Sequence, residues 1–234
     1  MHKHFFGIVC LGLFLVLLLP AISLSNDSFY PAWKVGESWN VKAVYPHPVE
    51  KDQWSVPVLW KYKVEGQERG PSGDCLVIAV YKAEEEKEEP ALRLIYRSRD
   101  RRLMRAETTK VLRGRKVLKV LTYDGEYPVE AQQSPVPFDS PAFPIRIPSS
   151  LAFSVTKEMS GGLKRIKTIR QEIRMVPGLE ELKDLAGAYN PKELMEVRCE
   201  DVDGKLLFSQ YWDKNLPWPV YGQNPSMKYW LMKQ

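Results

Sequence analysis

From Trp39 onward the chain repeats one pattern, apolar residues at every second position in short runs punctuated by Gly and Pro. Trp39, Val41, Ala43 and Tyr45 alternate with Asn40, Lys42 and Val44, and Trp60, Tyr62 and Val64 alternate with Lys61 and Lys63. A period of two puts one set of side chains on a single face of an extended strand, whereas a helical face needs a period of 3.6. Strand-like runs recur around Cys75–Tyr81, Leu92–Tyr96, Val117–Tyr123, Lys164–Val176, Leu194–Cys199, Leu206–Trp212 and Met227–Met232. The 11% aromatic content suits a pleated, half-buried surface, and eighteen prolines supply turns. About ten short strands, with turns every 8–15 residues, predict a mainly β fold. The expected form is one large antiparallel curved sheet, a half-barrel or open barrel, with one short helix. That helix is expected after Pro177, where Leu179, Leu182 and Leu185 recur at helical spacing behind early acids.

The connections are legible as well. Gly70, Pro71 and Gly73 mark a loop, Glu84–Pro90 a solvated hairpin tip, and Arg97–Arg105 a tight turn carrying five arginines around Asp100. Asp203-Gly204 between two apolar runs predicts a hairpin with a type I′ turn. Pro135, Pro137, Pro141, Pro144 and Pro148 exclude a helix or central strand there. Phe138, Phe143, Ile145 and Ile147 give the same stretch enough apolar surface to be an ordered extended crossover.

The first 25 residues bear on location. Lys3 precedes an unbroken apolar run from Phe5 to Leu19, then Pro20 and the small residues Ala21, Ser23 and Ser25. This is the layout of a secretory signal peptide, with cleavage expected before Asn26 and residues 26–234 left as a single β-rich domain. The alternative is a retained anchor, since the run approaches the roughly 20 residues that span a bilayer. Export implies a periplasmic or secreted protein in an oxidising compartment. Cys10 leaves with the leader, so Cys75 and Cys199 are expected to form a disulfide. The competing reading is two buried thiols that never meet.

Composition narrows the chemistry. The chain carries 34 basic and 29 acidic residues, a net charge of +5, and removal of Lys3 leaves +4. Such a mild excess gives no nucleic-acid footprint. The basic stretch Arg97–Lys119 reads first as a solvated sheet face, offset by the nearby Glu84–Glu89 run, and second as an attractor for acidic lipid head groups or anionic glycans. Beyond the leader there is one histidine, His47, set between two prolines, which disfavours Ser-His-Asp, Cys-His and zinc chemistry. No P-loop, G-x-G-x-x-G or G-x-S-x-G is present, so no cofactor, metal site or catalytic residue is expected. Carboxylates alone hydrolyse glycosides when two stand at the right separation, and Glu37, Asp52, Asp124, Glu126, Glu196 and Glu200 lie in or beside strands.

The opening Tyr30-Pro31-x-Trp33-x-Val35-Gly36-x-x-Trp39 and the ending Trp212-x-x-x-x-Pro217-Trp218-Pro219-Val220-Tyr221-Gly222 resemble uncharacterised bacterial secreted β-rich proteins. The order of elements is distantly similar to the periplasmic lipoprotein carriers of the LolA and LolB type. There a curved antiparallel sheet forms an incomplete barrel that helices close. That resemblance implies a non-catalytic exported protein holding an apolar, lipid-like ligand on a concave sheet. Trp39, Trp60, Tyr62, Leu182 and Leu185 are the candidate contacts. The expected partners are then a lipid or lipoprotein, or an envelope protein, with membrane contact peripheral at most. The alternatives are an envelope structural or protein-interaction module working through a strand edge or the proline-rich segment, and a carboxylate glycoside hydrolase.

Overall fold

The computed structural model describes residues 27–50, 53–71, 73–83, 89–113, 115–122, 136–141, 143–147, 149–158, 164–175, 194–201 and 203–232. Fourteen strands run in chain order: β1 Asp27–Phe29, β2 Ser38–Val44, β3 Val58–Gly70, β4 Gly73–Lys82, β5 Leu92–Arg97, β6 Leu103–Leu112, β7 Arg115–Thr122, β8 Ile145–Ile147, β9 Ser149–Glu158, β10 Lys164–Met175, β11 Met195–Glu200, β12 Leu206–Trp212, β13 Tyr221–Asn224 and β14 Met227–Leu231. Strands β1 and β8 form a separate pair. The other twelve make one antiparallel sheet in the order β7-β6-β5-β4-β3-β2-β14-β13-β12-β11-β10-β9. The expected mainly β fold and large antiparallel curved sheet are therefore present. Among the described residues there is no α-helix, and the helix expected at Leu179–Leu185 lies outside them, as does the leader. No helix among the described residues is long and apolar enough to cross a membrane.

The order divides the sheet into two meanders of six strands, β2–β7 and β9–β14, joined where β14 pairs with β2. Strands β7 and β9, separated in the chain only by the short β8 of the other sheet, occupy opposite ends of the large sheet. The connection between them must therefore traverse the sheet. Its described part, residues 136–141, is buried throughout. A buried extended segment without a strand partner must satisfy its own backbone groups. Pro137 and Pro141 help by lacking an N–H altogether. Of the apolar residues that marked this crossover in the sequence, Phe138, Phe143 and Ile145 are buried.

Alternation sets the inner face. Trp39, Val41 and Ala43 on β2, Trp60, Tyr62 and Val64 on β3, Leu76, Ile78 and Val80 on β4, and Leu92, Leu94 and Tyr96 on β5 join one core with Met227, Tyr229 and Leu231 of β14. The sheet is strongly curled, as the aromatic contacts show. Tyr96 on β5 and Trp212 on β12 are six strand spacings apart, roughly 29 Å in a flat sheet. Three ring contacts link them, Tyr96 to Trp33 at 4.7 Å, Trp33 to Phe143 at 6.4 Å and Phe143 to Trp212 at 5.6 Å. Only a sheet that wraps around its contents permits so short a path.

Three expectations are corrected. Cys75 and Cys199 are buried thiols that form no disulfide. Cys75 sits on β4 with Val77 and Ile95, Cys199 on β11 with Val197 and Phe208, and five strands separate β4 from β11. The turn at Gly204 is not a two-residue type I′ turn. Residues 201–205 form a longer loop in which Gly204 N–H donates to Asp201 O at 3.0 Å and Gly204 adopts φ +74°. The Asp201 carboxylate accepts from the N–H groups of Asp203 and Lys205, both at 3.0 Å, and so takes over the turn's hydrogen bonding. Four strands, β1, β8, β9 and β13, were not anticipated.

Candidate functional site

Trp39, Trp60 and Tyr62 do share the inner face, at 1%, 7% and 0% exposure, and they are spent on packing. The Trp39 ring stacks on Tyr62 at 5.7 Å with planes 12° apart, and Trp218 closes on both, 5.8 Å from Trp39 and 4.8 Å from Tyr62. Prolines on both sides hold Trp218 in place, and the Pro217 carbonyl accepts from Trp33 Nε1 at 2.6 Å. Trp60 donates its indole N–H to the Tyr45 hydroxyl at 2.9 Å. Leu182 and Leu185 lie outside the described residues.

The space a concave sheet would offer a ligand is thus occupied by the chain's own crossover and by Trp33 and Trp218. Residues 136–141 are tied down by polar groups from widely separated strands. Tyr62 on β3 donates its hydroxyl to Pro137 O. Gln210 on β12 donates to Asp139 O at 2.6 Å and to the Tyr229 hydroxyl at 2.7 Å, while its own side-chain oxygen accepts from Trp212 Nε1 at 3.0 Å. Asn224 on β13 donates to Asp139 Oδ2 at 2.9 Å.

Asp139 is the most perturbed carboxyl of this network. Burial raises it to about 7, against the lowering effect of its hydrogen bonds with Asn224 and Tyr229. Its second oxygen, Oδ1, has no hydrogen-bond partner among the described residues, nor do the buried indole N–H groups of Trp39 and Trp218. Burial also drives the Tyr62 and Tyr229 hydroxyls well above the ordinary tyrosine value. The groups bonded to Asp139 are an amide and a phenol, which suits a latch holding the crossover.

The other sequence candidates scatter. Glu37 accepts from the Lys34 N–H at 3.0 Å, and Glu200 pairs with Arg198 at 2.5 Å. Glu196 is buried and accepts from the Tyr211 hydroxyl at 3.0 Å, while Asp52, Asp124 and Glu126 lie outside the described residues. His47 Nδ1 accepts from the Glu50 N–H at 3.0 Å, as a turn residue does. Among the described residues, no group of three or more His, Cys, Asp or Glu could hold a metal ion.

At the far end of the sheet the chemistry changes. The arginines nearest the core have acidic partners. Arg93 meets Glu65 at 2.9 Å, Arg97 meets Asp100 at 2.5 Å, and Arg105 meets Glu68 at 2.8 Å and Glu107 at 2.7 Å. Beyond Glu107 the sequence holds Lys110, Arg113, Arg115, Lys116 and Lys119 and no acid before Asp124. On β7, which among the described residues pairs only with β6, Val117, Leu118 and Val120 are 42%, 59% and 46% exposed. Sequence reasoning singled out the basic stretch Arg97–Lys119 but missed Asp139 and the exposed apolar residues of β7. A lone acid in a proline-rich apolar run signalled the first. Mixed basic and apolar residues without strict alternation signalled the second. Comparison of the chain with protein-family models, with curated proteins and with solved structures finds no match.

Proposed function

We propose that this chain is a non-catalytic, exported interaction module of the cell envelope. Its curled sheet serves as a rigid scaffold, and its working surface is the free β6–β7 end. One observation carries this reading: the inner face is filled by the chain's own aromatic core, whereas β7 leaves Val117, Leu118 and Val120 exposed at an open sheet end. Natural sheets normally blunt such an end, because an exposed apolar edge strand invites association. Here Lys119 interrupts the apolar residues, which discourages pairing with a second, equally basic copy and leaves the end available to something acidic.

A photo-crosslinking residue placed at Leu118 or at Val120 tests this in cells that make the protein. Both positions are expected to capture the same envelope component, lipid or protein. Val49, 83% exposed on a different loop, is expected to capture none. Equal capture at Val49, or none at β7, would refute the assignment. A second reading, ligand uptake on the inner face, draws on the unpartnered polar atoms of Trp39, Trp218 and Asp139. A lipid-sized adduct in native mass spectrometry of protein from its own cells would favour it.

A further inference from the structure

We infer that the outer face of β14–β2–β3 binds an acidic polysaccharide, with Trp54 and Trp230 against its sugar rings and Lys42 and Lys228 meeting its carboxylates. The site lies on the side of the sheet opposite the aromatic core and four or more strands from β7. It is therefore separate from the β6–β7 end.

The alternation that sends Met227, Tyr229 and Leu231 into the core leaves Lys228 and Trp230 on the other side of β14. Register places Tyr211, Tyr221, Trp230, Lys42 and Leu59 on one rung across five strands. Rings touch along it, Tyr211 to Tyr221 at 6.0 Å and Tyr221 to Trp230 at 5.5 Å. Tyr211 and Tyr221 are buried with Leu194 and Val220, whereas Leu59 at the opposite end is 39% exposed. The aromatic strip thus surfaces at Trp230. Trp54, 40% exposed, comes to it from the β2–β3 connection. Bonds from His47 N–H to Gln53 O at 2.8 Å and from Ser55 N–H to Tyr45 O at 2.7 Å fix that connection as a hairpin.

Each exposed indole carries a cation. Lys228 Nζ stands 4.4 Å from the centre of the Trp54 ring, and Lys42 Nζ 5.0 Å from that of Trp230. A ring face positions an ammonium without neutralising it. Among the described residues neither lysine has a carboxylate partner. The two are diagonal neighbours on adjacent strands, roughly 7–8 Å apart at the backbone. Lys61 and Lys63 of β3 add to the same face, and its carboxylate, Glu65, is already held by Tyr81 and Arg93.

Total charge does not select the ligand, because Glu50 and Asp52 before β3 and the five acids of Glu84–Glu89 after β4 offset these lysines. The local arrangement does. Two indoles, each with its cation, stand beside Gln223, which pairs with Lys228 on the next rung. The Gln223 side-chain oxygen accepts from the Tyr221 hydroxyl at 3.0 Å, so its amide nitrogen is the group that donates outward. An acidic sugar answers all three features. Its C–H face stacks on an indole, its hydroxyls take the amide, and its carboxylate takes the ammonium. The rung crosses the strands, so rings and cations lie along a line that an extended chain of sugars can follow.

The test is calorimetric titration of the protein, processed as its own cells leave it, with polygalacturonate, neutral dextran and dextran sulfate. Polygalacturonate is expected to bind at least about tenfold more tightly than dextran. Trp54→Ala should weaken that binding about tenfold, and Lys42→Gln combined with Lys228→Gln about as much. Leu118→Ser on β7 should leave it unchanged. Raising salt from about 0.05 to about 0.5 M should weaken the parent more than the double lysine variant. Glu84→Gln with Glu85→Gln and Glu86→Gln should bind as well as the parent or better. Urea midpoints close to the parent's show that the fold is intact. Absence of binding, equal affinity for dextran, or affinity untouched by the Trp54 or lysine substitutions overturns the inference. So does a loss in the glutamine triple variant. Dextran sulfate bound as tightly, and indifferently to Trp54→Ala, marks plain polyanion adsorption and also overturns it. If polygalacturonate fails while phosphatidylglycerol vesicles bind through Trp54, the face meets lipid and the polysaccharide assignment falls. Capture at Leu118 decides the proposed function separately in every case.

Discussion

Replacing Asp139 with asparagine removes a buried carboxyl while keeping its size and its acceptor toward Asn224. In the folded protein this carboxyl is raised from 3.8 to about 7 by burial. A folded-state value above the unfolded one means that the folded protein holds a proton that the unfolded chain has released. The penalty is absent below about pH 4, grows as the pH rises, and is complete above about pH 7. At about 1.4 kcal/mol per pKa unit the full penalty is ~4 kcal/mol, of which ~3 kcal/mol falls between pH 5 and pH 8. The asparagine variant carries no such term. It introduces instead a buried amide N–H₂ at a site where Oδ1 already lacks a partner, at a cost of about 1–3 kcal/mol. The two stability curves should therefore cross between roughly pH 5 and 6, with the variant about 1–3 kcal/mol more stable at pH 8. Glu65 and Asp100 do not interfere. In each, burial acts upward but the Tyr81 and Arg93 bonds to Glu65, and the Arg97 bond to Asp100, win and lower the carboxyl. Their stabilisation is lost only as pH falls through the carboxylate range, below this window. Urea unfolding followed by tryptophan fluorescence at pH 5, 6, 7 and 8, at fixed ionic strength, measures the effect. A parent midpoint that is flat or rising across that range would show that Asp139 is not a buried acid of this kind. So would a variant that declines in parallel with the parent.

Three further outcomes are expected. Gly222→Ala should cost about 3 kcal/mol or more, because the new Cβ would stand 2.1 Å from Tyr229 Cζ, on a ring held in place by Gln210. The loss should shrink in a Tyr229→Ala background, and an equal loss there would rule out the clash. Trp218→Ala should cost about 3–5 kcal/mol by urea unfolding, whereas Trp54→Ala, at a site 40% exposed, should cost under about 1; comparable losses would refute the packed inner face. Iodoacetamide should leave Cys75 and Cys199 unmodified in the native protein, since both are buried and burial raises the Cys75 thiol. Both should be modified after unfolding without reductant, and a pair that reacts only after reduction would restore the disulfide.

The strands that could be read from the sequence are those in which one face is buried and the other wet, because burial enforces the alternation. Trp39-x-Val41-x-Ala43 and Trp60-x-Tyr62-x-Val64 are of this kind, and the structure buries these six residues on one face. Strand β13 is four residues between Pro219 and Pro225, too short to display a period. Strand β9 does alternate, with Leu151, Phe153 and Val155 between Ala152, Ser154 and Thr156, but it follows directly on a proline-rich run and, among the described residues, pairs only with β10. The Cys75–Cys199 pairing went wrong for a different reason. Compartment and cysteine count are properties of composition, while the distance between β4 and β11 is a property of strand order.

Strand order also explains why the candidate site was only half legible. Alternation correctly placed Trp39, Trp60 and Tyr62 on a common face, but it could not show that the face is occupied. That follows from β7 and β9 lying at opposite ends of the sheet, which forces the intervening chain across the inside. Once the crossover runs there, Asp139 is buried against Asn224, 85 residues away, and Gln210, 71 residues away, partners that no local pattern could have matched to it. Among the described residues, the same geometry leaves β7 without a second strand neighbour. A chain that spends its own crossover on the inner face keeps its sheet end as a surface still open to another molecule. On the proposed function, the aromatic residues that first suggest a ligand platform are the core that makes the exposed β6–β7 end rigid enough to use.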